Sequence, residues 1–217
     1  MKRLLSIVAC TLLALTAQAQ LKCGLTGGLN IAQIHLGNND YKDYMNRTRP
    51  GFVVGPTVIY SLPKTNFGID ASALFDLRGA RSRNESLDTK VKCTSFQFPI
   101  NLRYSFQPAE MDMVNLFVFA GPQFGVSVGD KDQYIISGIG KTTGHAMERR
   151  WKLNNSVMSM NFGVGGIVMD HILVRISYNF AFNAAAGIYQ EDLDDGTSKF
   201  LTSGKAHACQ IVLGYLF

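Results

Sequence analysis

Along much of this chain apolar residues return at every second position, the signature of a strand with one face buried and one face polar. The clearest run is Phe67 to Arg78. Phe67, Ile69, Ala71, Ala73, Phe75 and Leu77 fall on one face, and Gly68, Asp70, Ser72, Asp76 and Arg78 on the other, with Leu74 as the exception. From Phe96 to Phe106, Phe96, Phe98, Ile100, Leu102, Tyr104 and Phe106 alternate with Gln97, Asn101, Arg103 and Ser105. Ile172 to Phe182 and Cys209 to Phe217 repeat the pattern, with Arg175, Ser177, Asn179 and Gln210 on their polar faces. Four weaker segments, Cys23–Leu36, Gly51–Leu62, Asn115–Val128 and Ser156–Met169, carry Gly, Thr, Asn and Ser on the second face instead of charge. Each of the eight has about ten to fourteen residues, enough to cross a bilayer at the tilt of a barrel strand.

The connections alternate in length. Gly37–Pro50 is long, Pro63–Asn66 short, Gly79–Lys90 long and Gln107–Val114 modest. Gly129–Leu153 is the longest, Asp170–His171 the tightest, and Asn183–Gly204 long again. Long loops on one side and short turns on the other characterise single-chain outer-membrane barrels, with both termini on the periplasmic side. The pattern predicts an all-β fold: an eight-stranded antiparallel transmembrane up-and-down β-barrel.

Composition agrees. Hydrophobic residues make up 47% and charged residues only 17% of the 217. After the N-terminal twenty positions no apolar stretch is long enough for a transmembrane helix. The net charge of +5 includes Lys2 and Arg3, and the remaining basic residues lie mostly in loops, which argues against nucleic acid as a partner. Contact with lipid phosphates is the better reading.

Alternation alone does not say which face points inward, and a soluble lipocalin-like periplasmic carrier would put its apolar face inside. Two features favour lipid outside. Asp70, Asp76, Arg78, Arg103 and Arg175 sit mid-strand on the polar face, as in an enclosed network of paired charges. Aromatics on the apolar face gather near strand ends: Tyr60, Phe67, Tyr104, Phe106, Tyr215 and Phe217 toward the periplasm, and Phe52, Phe75, Phe96, Phe180 and Phe182 toward the other side. An eight-stranded barrel is narrow enough for side chains to fill its lumen, so the polar-face residues are expected to plug it and not to line a pore, with the five charged ones as a paired network inside it. Pro56, Pro99 and Pro122 run against this fold, because a closed barrel has no edge strand to shelter a missing N–H.

Met1-Lys2-Arg3, the apolar run Leu4–Leu15 and Ala17-Gln18-Ala19 form a secretory signal with cleavage before Gln20, so residues 1–19 are expected to leave and 20–217 to form the barrel. A lipidation signal at Cys10 would leave too short an apolar run. Cys23, Cys93 and Cys209 remain, an odd number that does not describe a disulfide framework.

Motifs of other chemistries fall short. Gly138-Ile139-Gly140-Lys141-Thr142 ends like a phosphate-binding loop but lacks the earlier Gly, having Ile135 there. Asp192-Leu193-Asp194-Asp195-Gly196 is calcium-loop-like, with Gly one position early and no closing Glu. His35, His145, His171 and His207 are scattered, so neither a zinc site nor a nucleophile–base pair is assembled; a lipid-modifying barrel enzyme is the weaker alternative. Arg149-Arg150-Trp151-Lys152, where the longest loop rejoins a strand, is read as an interfacial Trp with cations placed for lipid contact. No cofactor is expected.

Phe96-Gln97-Phe98-Pro99-Ile100-Asn101-Leu102-Arg103-Tyr104-Ser105-Phe106 resembles the fourth-strand pattern of PorT-like outer-membrane β-barrel proteins. Phe117-Val118-Phe119-Ala120-Gly121-Pro122-Gln123-Phe124-Gly125 resembles the strand that follows it, and Leu213-Gly214-Tyr215-Leu216-Phe217 is similar to their C-terminus. The resemblance covers nearly the whole mature chain. It implies a barrel in the outer membrane of a diderm bacterium, tolerance of Pro99 and Pro122, and no catalytic residues. It also implies that Tyr215 and Phe217 form the signal read by the barrel-insertion machinery. The function expected is that of a non-enzymatic, monomeric barrel whose long loops bind a surface partner or lipid, or assist a secretion assembly.

Overall fold

The computed structural model describes residues 21–36, 47–84, 87–108, 113–128, 132–139, 146–192 and 198–217. Within these, only the backbone is described for 33–36, 47–49, 78–84, 87–93, 132–139, 146–151, 188 and 190–192. The strands in chain order are β1 (Leu21–Leu36), β2 (Arg47–Ser61), β3 (Phe67–Ser72), β4 (Leu74–Asn84), β5 (Leu87–Phe106), β6 (Val114–Val128), β7 (Asp132–Ile139), β8 (Ala146–Leu153), β9 (Ser156–Val168), β10 (Ile172–Ala181), β11 (Ala186–Asp192) and β12 (Ser198–Leu216).

The chain closes into an eight-stranded antiparallel barrel, in the order β1, β2, β3 continued by β4, β5, β6, β9, β10, β12 and back to β1. Closure is made by β1, which pairs with β2 through Leu29 opposite Phe52 and with β12 through Ile31 opposite Cys209. The eight predicted segments are the eight wall strands. Three connections read as loops are largely strand. Gly79–Lys90 continues β4 to Asn84 and begins β5 at Leu87; Gly129–Leu153 contains β7 and β8; Asn183–Gly204 contains β11 and the start of β12. No lipid face imposes alternation there, so the sequence carries no period-two signal for them.

The apolar face points outward. Leu102, Ile211 and Leu213 are 58%, 50% and 59% exposed, while Asp70 and Arg175 are 0% and 5% exposed. That removes the soluble lipocalin-like reading, which needs the opposite arrangement. The aromatic residues form two belts. Phe67 meets Tyr104 edge to face at 5.1 Å, and Tyr215 meets Phe217 likewise at 5.6 Å, near the short turns. Phe52, Phe75 and Phe96 form a chain with centroids 6.2 and 5.6 Å apart toward the other end.

The registers account for the prolines. An antiparallel residue turns its N–H and C=O toward the same neighbour, so a proline costs one ladder bond on one side only. Thr57 opposite Ser72 and Val54 opposite Phe75 bring Pro56 opposite Ala73, whose N–H still donates to the Pro56 carbonyl at 3.0 Å. Ala71 opposite Ile100 and Leu74 opposite Gln97 bring Pro99 opposite Ser72. Two prolines thus flank one point of the third wall strand, which is where β3 gives way to β4. Pro122 lies across from Ile100, within the lapse between the Pro99–Gln123 and Leu102–Ala120 pairs.

At the short-turn end, Met169 and Asp170 have φ of 49° and 63°, and the His171 N–H donates to the Val168 carbonyl at 3.2 Å. Two left-handed residues make the hairpin turn whose twist matches the strands it joins. Lys22 on β1 donates to Asp170 Oδ1 at 2.6 Å; that bond, then the lysine's charge, lowers the Asp170 pKa. Because the folded value is the lower one, this stability is present above the unfolded value, about 3.9, and is lost as pH falls through the folded value. Asp170→Asn keeps a residue that tolerates the turn and removes the charge. It is expected to lower the urea midpoint at neutral pH, by less than about 1 kcal/mol for so exposed a pair, and to converge with the parent below pH ~3.9.

Candidate functional site

The lumen is built in layers that β10 spells out in order: Leu173, Arg175, Ser177 and Asn179 point inward in succession from the short-turn end. At the level of Leu173 the interior is apolar. Ile59, Phe117, Phe119, Ile167, Leu173 and Leu216 form one buried cluster. Sequence reading did not see this plug, because β6 is apolar on both faces near its start and gives no contrast between them. A smaller cluster of Val53, Leu74 and Val212 explains why Leu74 broke the alternation: it packs inside.

The next layer is ionic. Arg175 Nη1 donates to Asp70 Oδ2 at 2.8 Å and to Oδ1 at 3.0 Å, and Thr57 Oγ1 donates to the same carboxylate at 3.4 Å. Arg103 donates from Nε to Ser105 Oγ at 2.8 Å, and its guanidinium lies 4.3 Å from the centre of the Phe117 ring. In a site closed to solvent, where cations need such compensation, Arg175 is thus held by the Asp70 carboxylate and Arg103 by the Ser105 hydroxyl and the Phe117 ring.

Beyond it comes a layer of amides. Asn30 donates to Asp76, Gln123 donates to Gln97, and Asn161 Nδ2 donates to Asn101 Oδ1 at 3.3 Å. Asn161 and Asn101 lie on β9 and β5, both opposite positions of β6 around Gly121. Glycine there lets the neighbouring backbone approach closely; a Cβ would meet the Ile100 carbonyl oxygen at 2.0 Å. Of the predicted interior network, Asp70, Asp76, Arg103 and Arg175 are all buried in the lumen, where Asp70 pairs with Arg175 and Asp76 accepts from Asn30. Arg78 lies on β4 opposite Cys93, and its side chain is outside the described residues. Gln97, Asn101, Asn179 and Gln210 stood on the polar faces expected to fill the lumen and are buried there, though not singled out as network members; Phe117 was missed.

Above the aromatic belts the wall continues as a sheet of β7, β8, β11 and the start of β12. Tyr134 lies opposite Arg150, Arg150 opposite Tyr189, and Tyr189 opposite Phe200. The interfacial cluster falls on β8 and is paired strand, not loop. Lys152 is exposed there, and the side chains of Arg149, Arg150 and Trp151 lie outside the described residues. Lys199 and Lys205 on β12 are exposed as well. The C-terminus is latched: the Phe217 N–H donates to the Cys23 carbonyl at 2.8 Å and the Leu216 N–H to that of His171 at 2.7 Å. Tyr215 and Phe217 both point out toward lipid.

Other candidate chemistry is not assembled. A cavity of ≈ 380 Å³ near the short turns is lined by Gln107, Met113, Asn115, Ile167, Met169 and Asp170, whose carboxylate is already engaged by Lys22. His171 sits 2.6 Å from the Met169 carbonyl, and His207 stacks between Tyr178 and Phe180 on the outer face. Among the described residues no three metal-ligating side chains come together. Gly140–Thr142 and residues 193–197 of the two loop motifs, with His145 and the side chains of His35 and Cys93, lie outside the described residues; Cys23 and Cys209 are free. The signal segment, residues 1–19, also lies outside them.

Comparison with known proteins gives one sequence match. The family described as "Outer membrane protein beta-barrel domain" matches residues 16–186, more than half of the chain. No match was found among curated protein sequences. The chain is also similar to solved structures. OprG of Pseudomonas aeruginosa is 10% identical, with 91% of this chain and 94% of that one covered and a TM-score of 0.46. Ail, the attachment invasion locus protein of Yersinia pestis solved with the heparin analogue sucrose octasulfate, is 14% identical, with coverage of 91% and 99% and a TM-score of 0.44. A major outer membrane protein of Thermus thermophilus is 10% identical, with coverage of 89% and 99% and a TM-score of 0.45.

Proposed function

We propose, for a chain that belongs to the outer membrane protein beta-barrel domain family and resides in the outer membrane, a non-enzymatic role in binding at the cell surface. The observation that carries this reading is the contrast between the two ends of the molecule. The lumen is occupied at successive levels by the apolar plug, the Asp70–Arg175 pair and the amides, whereas the wall above the aromatic belts is extended by β7, β8, β11 and the start of β12. Strands that neither cross the membrane nor fill the lumen are spent on surface area.

Two ligand classes suit that surface. Arg149, Arg150, Trp151 and Lys152 on β8, with Lys199 and Lys205, suit phosphate groups of outer-leaflet lipid. The sheet itself suits a protein partner, and the PorT-like strand motifs favour a component of a secretion assembly. The barrel acts as a monomer, inserted through the Tyr215 and Phe217 signal.

Deleting residues 130–150 tests this. The variant is expected to remain in the outer membrane and to keep the faster gel migration of an unheated barrel, while cross-linking of the full-length chain to a surface partner in living cells is lost. Unchanged cross-linking would contradict the reading. A changed acyl or phosphate pattern of lipid A on overproduction would replace it with a lipid-modifying enzyme.

A further inference from the structure

Among the described residues, the ladder that joins β5 to its next neighbour reaches up to the pair Thr94–Val128, and none is formed above it. β5 is bonded to β4 along its whole upper part, from Leu87 opposite Asn84 to Gln97 opposite Leu74, but its ladder with the next strand begins only at Thr94. β7, which prolongs the course of β6 upward, is bonded to β8 and ends the strand path. Leu87–Cys93 of β5 and Asp132–Ile139 of β7 thus form the two sides of a seam, and among the described residues no ladder crosses it. In each strand every second residue turns its N–H and C=O away from the bonded neighbour, so both sides present rows of backbone donors and acceptors at strand spacing.

We propose that β7 is an acceptor strand that captures a short, extended, acidic segment of a partner protein by strand addition. This deepens the surface-binding role and rests on it. A row of N–H and C=O groups is matched group for group only by another extended backbone, which is why exposed sheet edges recruit strands. Proteins that must avoid such recruitment place Lys or Pro on the edge.

The two sides differ in this respect. β5 carries Asp88, Lys90 and Lys92 within its unpaired stretch, whereas β7 from Gln133 to Ile139 has neither a charged residue nor a proline and includes Tyr134, Ile135 and Ile136, good strand formers. β7 is therefore the open side and β5 the guarded one. The strands flanking β7 choose the partner's charge. β8 contributes Arg149, Arg150 and Lys152 against Glu148, β5 contributes Lys90 and Lys92 against Asp88, and β7 itself adds only Asp132 at its start, so the seam keeps a cationic surplus.

Geometry limits the length captured. The β7–β8 ladder shifts register between Tyr134 and Ile136, and the added twist of such a bulge interrupts regular pairing on the free side too. Some Cα atoms of β5 and β7 lie within 8 Å of one another. A strand held between them needs two spacings, about 9.6 Å, so capture has to spread the narrowest part of the seam.

The test uses the full mature barrel in lipid nanodiscs and residue-resolved amide exchange by NMR. The probe is a synthetic peptide of alternating threonine and valine with glutamate at both ends. Without peptide, amides of β7 are expected to alternate between slow and fast exchange. With saturating peptide the fast set slows by at least about tenfold, and a peptide N-methylated at alternate residues leaves it fast. Uniform slow exchange without peptide would mean that β5 and β7 close on each other, and would overturn the proposal. So would fast amides that the peptide leaves unchanged, or slowing that follows the protein's own concentration, which would make a second copy the occupant. Loss of partner cross-linking in the 130–150 deletion alongside an inert peptide would leave surface binding standing and remove only strand capture.

Discussion

Asp70→Asn is expected to destabilise the barrel by about 3–5 kcal/mol, the cost of breaking a buried ion pair from one side. Asp70 is wholly buried and Arg175 nearly so, with 2.8 Å between Arg175 Nη1 and Asp70 Oδ2. Neutralising the carboxylate leaves the buried Arg175 guanidinium without its counter-charge in a narrow lumen that also holds Arg103, whose own partners are the Ser105 hydroxyl and the Phe117 ring. Arg175→Met alone costs a similar amount, because it strands Asp70. The double variant is expected to recover most of the loss, since a buried pair can be exchanged for neutral groups at little net cost once both charges go. Reversible urea unfolding in bilayers, followed by gel migration, reads all three. A single substitution costing less than about 1 kcal/mol would mean a solvated pair.

The second large effect is on the opposite face of the same wall. Ile211 on β12 faces outward between Leu29 and Ile176 on its neighbours, and lies between Tyr215 toward one rim and His207 toward the other. Ile211→Arg places a charge near the middle of the acyl region and is expected to cost about 2–4 kcal/mol. The same arginine at Tyr215, within reach of the headgroups, should cost no more than about 1 kcal/mol. Equal costs at the two depths, read by the same unfolding assay, would show that this face does not meet a hydrocarbon slab.

What the sequence revealed follows from what enforces its pattern. Wherever a strand separates lipid from a polar lumen, the contrast between faces is large, and Ile172 to Phe182 or Phe96 to Phe106 can be read by eye. The contrast vanishes where both sides are apolar, as at Phe117 and Phe119, and beyond the aromatic belts, as in β7, β8 and β11. There the lipid's discipline stops, and short strands look like loops. Asp70 and Arg175 were legible as interior charges because neither is tolerable on the lipid face, but their pairing is set by register across strands distant in sequence. The prolines looked like obstacles one at a time. Only the register shows that Pro56 and Pro99 meet the third wall strand at adjacent residues and share one interruption.

The outward orientation of the apolar face supports every other inference, and a spin-label scan along β10 tests it most directly. With Cys23, Cys93 and Cys209 replaced by serine, single labelled cysteines from Ile172 to Ala181 are introduced in nanodiscs, and collision rates with oxygen and with a water-soluble nickel complex are measured. Oxygen accessibility should peak at Ile172, Val174, Ile176, Tyr178 and Phe180 and be low for both probes at Leu173, Arg175, Ser177 and Asn179. Oxygen maxima on Arg175 and Ser177, or nickel maxima on Ile176 and Tyr178, would contradict it.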